Sequence, residues 1–66
     1  MKSMRERILE AFNANHHGER FNDFEEIRNK YDVVEILSTW LVYEGIIGYT
    51  RDIVDLLGEC GVYIEE

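Results

Sequence analysis

"LVYEGIIGYT", Leu41 to Thr50, is the stretch on which the fold turns. Its first half continues a helical apolar pattern that should stop at Glu44-Gly45, because glycine suits the left-handed residue that ends a helix. Its second half, Ile46-Ile47-Gly48-Tyr49-Thr50, is too apolar for an ordinary loop. It reads as a short strand or as a buried bend between two helices. β-branched and aromatic residues between glycines favour a strand over about 46–50. "GVYIEE", Gly61 to Glu66, has the same character, and about 61–65 is the natural mate. Between the two lies "RDIVDLLGEC". Thr50 is a capping type, and Asp52 in the first turn suits the helix dipole. Ile53, Val54, Leu56 and Leu57 are followed by Gly58, so a short helix is predicted over about 51–57, inside the ribbon.

Three helices precede this stretch. Ser3 and Glu6 form a capping box, in which each side chain satisfies an otherwise unpaired amide at the helix start. Met4, Ile8, Ala11 and Phe12 then line one face of a helix over about 4–14. Asn22, with Glu25 at the box position, starts a second helix over about 23–30, in which Phe24, Ile27 and Tyr31 share a face. Phe21 is a core anchor or the pairing residue of a short strand. Asp32 and Glu35 make the next box, with Tyr31 and Ile36 at the hydrophobic-staple positions. The third helix, over about 33–44, has an inner stripe of Val33, Ile36, Leu37, Trp40, Leu41 and Glu44. Val34, Val42 and Tyr43 lie on its flanks and give it more apolar surface than one stripe can bury. The very short link before it forces a sharp angle, as in a helix-turn-helix.

This order resembles a winged-helix domain. In that family the third helix commonly ends in Leu-x-x-x-Gly-x-Ile, which Leu41, Gly45 and Ile47 match, and Val62 to Ile64 would supply the returning strand. The resemblance implies a mainly α fold with a small β ribbon (α+β), one domain over 1–66 with a three-helix core. It also implies that the outer face of the third helix, Val34, Glu35, Ser38, Thr39 and Val42, would meet DNA. None of these is basic or amide-bearing. Base readout leans on arginine, lysine, asparagine and glutamine, and affinity leans on phosphate neutralisation. The chain departs from the family twice. The turn before the third helix lacks glycine, and the wing is rich in acid and leucine.

Charge points away from nucleic acid. The net charge is −7. Residues 1–31 balance Lys2, Arg5, Arg7, Arg20, Arg28 and Lys30 against six acids, whereas residues 32–66 hold Arg51 alone against eight. Such a half repels phosphates and draws a basic protein surface. The expected function is a small acidic protein-interaction module, an accessory or regulatory protein of bacterial or phage type. It would dock on a basic surface of a nucleic-acid-handling partner. Val34, Glu35, Ser38, Val42, Glu44, Asp52 and Asp55 are the expected partner contacts. The surplus apolar surface of the third helix also points to a homodimer. The alternative is a DNA-binding transcriptional regulator acting as a homodimer, with Arg5, Arg20, Arg28 and Lys30 on the phosphates.

No catalysis is expected. Glu25-Glu26 and the pair Asp52/Asp55 are close enough for acid–base work, but helix starts and exposed faces account for them. His16-His17, with Glu10, Glu19 and Cys60, lack the recurrent spacing of metal ligands, so no metal or cofactor is expected. Cys60 is the lone cysteine, and its acidic neighbours oppose a reactive thiolate. A reducing compartment suits a chain with no internal disulfide. "MKSMRERILEAFN" lacks the apolar region of a signal peptide, and the run "WLVY" is far short of a membrane span. The expectation is a soluble cytoplasmic protein.

Overall fold

Three of the described helices begin where a side chain takes up free amides. The computed structural model describes residues 1–14 and 19–64. Among them are four helices: α1 (Met4–Ala14), α2 (Phe24–Lys30), α3 (Val33–Glu44) and α4 (Arg51–Glu59). Ahead of α1, Ser3 Oγ accepts from the Glu6 N–H at 3.2 Å and Glu6 Oε1 accepts from the Ser3 N–H at 3.1 Å. Asp32 and Glu35 make the same reciprocal pair ahead of α3, at 2.9 and 3.3 Å. For α2 the cap is Asp23, not Asn22: it accepts from the Glu26 N–H at 3.0 Å, and the Glu26 carboxylate accepts from the Asn22 N–H. Asn22/Glu25 and Asp23/Glu26 both satisfy the capping spacing, and asparagine and aspartate cap equally well. Spacing therefore does not separate them.

Thr50 stands at the N-cap of α4 in extended backbone but makes no capping hydrogen bond. Its Oγ1 is buried with no partner among the described residues. Removing a working threonine cap costs about 0.5–2 kcal/mol, whereas a buried, unpaired hydroxyl itself costs about 1–3 kcal/mol. Thr50→Val is therefore expected to be neutral or stabilising. A urea midpoint decides it, and a clear destabilisation would mean that the hydroxyl caps in solution.

The ends of α3 and α4 explain the stretch between them. Gly45 N–H bonds Val42 C=O while Ile46 N–H bonds Leu41 C=O; Gly61 N–H bonds Gly58 C=O while Val62 N–H bonds Leu57 C=O. This paired reverse bonding is the Schellman termination, which needs a left-handed residue. Gly45 and Gly61 supply it with φ of 68° and 84°, and Gly48 is left-handed too at 86°.

The mixed α+β, winged-helix-like expectation is thereby corrected. The described residues form an all-helical fold with no strand, and neither about 46–50 nor the described part of about 61–65 is extended and paired. Two left-handed glycines three residues apart break the pleat at 45–48. Gly61 and Val62 are turned back onto α4. β-favouring composition says which side chains fit a pleated surface, not that a partner strand exists. The "GIIGYT" stretch is a bend between α3 and α4, and a largely exposed one rather than a buried one. Only Ile46 packs on the core, whereas Ile47 is 96% exposed and Tyr49 68%. The helix expected over about 51–57 is present and runs on through Gly58 to Glu59.

The core draws on every helix: Ile8, Ala11 and Phe12 from α1, Phe24 and Ile27 from α2, Ile36 and Trp40 from α3, Leu56 from α4. Phe21 and Cys60 complete it. Phe12 meets Phe21 edge-on at 6.0 Å and Tyr31 at 5.1 Å between ring centres. Asn13 fixes Phe21 by both backbone groups: Oδ1 accepts its N–H at 2.8 Å and Nδ2 donates to its C=O at 3.1 Å. Phe21 is thus a core anchor whose backbone pairs with a side-chain amide rather than with a strand. No helix among the described residues is long and apolar enough to cross a membrane.

Candidate functional site

α3 is apolar nearly all round, and a helix of that kind is normally covered on every side. Its inward stripe is covered: Ile36 and Trp40 are fully buried, and Val33, Leu37 and Leu41 pack against them. Its outward stripe is not. Val34, Ser38 and Val42 recur every four residues on one exposed face, and Val34 and Val42 are 66% and 79% exposed. Glu35 lies beside Val34 and is exposed, its carboxylate engaged in the α3 cap. Asp55 is exposed on α4.

Glu44 and the more exposed Asp52 both meet Arg7 of α1. Arg7 Nε donates to Glu44 Oε2 at 3.0 Å, and Arg7 Nη2 donates to Glu44 Oε1 and, at 3.2 Å, to Asp52 Oδ2. Trp40 Nε1 donates to Glu44 Oε2 at 2.9 Å. The Arg7 guanidinium lies 5.5 Å above the Trp40 ring, a cation–π placement. One arginine thus joins α1 to the end of α3 and the start of α4. Its hydrogen bonds hold the Glu44 carboxyl below the ordinary carboxylate range, against burial, which pushes it up. Arg7 in turn is held more basic, chiefly by its hydrogen bonds to Glu44.

The basic residues of the nucleic-acid alternative have these surroundings. Arg5 Nε donates to Glu59 at 2.9 Å, its Nη1 reaches Glu25 at 3.5 Å, and its guanidinium lies 5.2 Å over the Phe24 ring. Lys30 pairs with Glu19 and lies over Tyr31. Arg28 lies beside Gly61. Arg20 lines an open groove along α1 with Lys2 and Glu10. Two of these four, Arg5 and Lys30, are paired with carboxylates. The halves that are charge-segregated along the chain are folded onto each other in space.

Among the described residues no group of three metal-ligating side chains is assembled, and His16-His17 lie outside the described residues. Cys60 is buried, and burial raises its thiol pKa. The residue that spacing arguments passed over is Arg7. The available signal was a charge on each of two inner faces: Arg7 three residues after Met4, and Glu44 at the end of the α3 stripe. No family model, curated protein or solved structure matches the chain.

Proposed function

We propose that this protein is a protein-interaction module that uses the outer face of α3 as its contact surface. The observation that carries this reading is the exposure of Val34 and Val42 on one stripe of a helix with little charge. Burying a valine side chain contributes about 1.5 kcal/mol or more, so a partner that covers both gains directly. The centre of the contact would be Val34, Ser38 and Val42. Glu35 and Asp55 would form an acidic rim, which selects a basic surround on the partner. Glu44 and Asp52 support the surface from behind through Arg7. Internal pairing of Arg5 and Lys30 favours a protein partner over DNA.

The test is quantitative affinity capture from the source cells with wild type, Val42→Asp and an Asn29→Ala control on the exposed side of α2. Val42 makes no core contact, so the first variant should keep its helical spectrum. The expected result is a captured protein whose recovery falls at least tenfold with Val42→Asp. Equal recovery by both variants would overturn the reading. Sedimentation of the same samples decides whether the captured partner is a second copy.

A further inference from the structure

We infer that α4 is an electrostatically latched flap, which opens as a unit on the 45–50 joint and is held shut by Arg5 and Arg7 of α1. Four observations carry this. The joint holds two left-handed glycines, Gly45 and Gly48, and of its apolar side chains only Ile46 packs on the core. α4 starts without a capping hydrogen bond, so its first turn is weakly held. Its two ends are tied to one helix: Asp52 near the start bonds Arg7 at 3.2 Å, and Glu59 at the end bonds Arg5 at 2.9 Å. Its apolar anchors are confined to one face. Leu56 and Cys60 are buried, and Ile53 and Leu57 are partly so.

The other three helices keep their own ties when α4 lifts. Their capping boxes, the aromatic cluster of Phe12, Phe21 and Tyr31, and the Asn13–Phe21 pair do not involve α4. Single helices can open as cooperative units at lower free energy than the global transition. Partly exposed ion pairs are screened by salt, whereas apolar contacts are not. Sodium chloride therefore favours the open flap.

Cys60 reports opening directly, because its thiol is buried where α4 ends. The experiment measures Cys60 labelling by iodoacetamide and amide hydrogen exchange in wild type, Arg5→Gln and Asn13→Ala. In wild type, Cys60 and the amides of α4 are expected to react at least about tenfold more often through opening than the amides of Ile8 and Phe12. Arg5→Gln should raise Cys60 labelling about threefold, the scale of a surface ion pair. Asn13→Ala should raise exchange at Ile8 and Phe12 about tenfold, the scale of a lost buried hydrogen-bond pair, and leave Cys60 labelling unchanged. The outcome that overturns the flap is one opening free energy for Cys60, α4 and the core, with Asn13→Ala accelerating all of them equally. Arg5 is exposed, so its variant folds and the comparison remains readable.

Discussion

Arg7→Ala is expected to bring the protein close to unfolding. Breaking a buried ion pair by removing one partner costs about 3–5 kcal/mol, because the other charge is left stranded. Here the side chains of Arg7 and Glu44 are 26% and 20% exposed, so about 2–3 kcal/mol is the discounted expectation. A core of this size supplies only about 3–5 kcal/mol in all. The variant would therefore show a much lower urea midpoint or a partly populated unfolded state at rest. Arg7→Lys should recover little of this loss, since an ammonium offers no planar fork to hold Glu44 by two bonds while covering Trp40. Full recovery by lysine would reduce the contact to simple charge neutralisation.

The same clasp sets an acid response. The folded-state pKa of Glu44 lies below its ordinary value. Its stabilising contribution is therefore complete above the ordinary glutamate range and is lost as pH falls through the lowered value. Glu44→Gln should be less stable at neutral pH and should lose less stability than wild type between neutral and acid conditions. Parallel pH profiles for the two proteins would remove Glu44 from the account.

Trp40→Ala is the second large effect. Trp40 is the largest fully buried side chain, and tryptophan-to-alanine truncation in a core costs about 3–5 kcal/mol. That equals the whole expected stability, so the variant should lack a cooperative thermal transition. Trp40→Phe separates the two roles of the ring. It keeps an aromatic face for Arg7 and removes the N–H that reaches Glu44, so a loss of about 1–3 kcal/mol is expected from the smaller ring and the missing donor. A Trp40→Phe variant as unstable as Trp40→Ala would place the energy in the indole hydrogen bond rather than in volume.

The helices were legible because caps and periods are local. Ser3/Glu6 and Asp32/Glu35 mark α1 and α3 with no knowledge of the rest of the chain, and the stripe ending at Glu44 led to Gly45. The ribbon was misread because Ile46, Ile47, Tyr49, Val62 and Tyr63 have strand-like side chains, and side-chain type does not reveal whether a glycine will be left-handed. Gly48 and Gly61 settled that, and both look like strand boundaries on paper. The exposed valines of α3 were legible as a surplus. The destination of Glu44 and Asp52 was not, because it depends on α1 lying across the end of α3 and the start of α4, which is a matter of packing.

The bond between Arg5 and Glu59 spans 54 positions of the chain. Arg7 waits in the same way for Asp52, 45 positions on. During synthesis α1 is thus tied by partners that are made well after it. Contacts so distant must meet the entropy of closing a long loop before they contribute. The face of α1 that meets α4 stays bare until α4 has been made, so its closure waits on the carboxylates of Asp52 and Glu59.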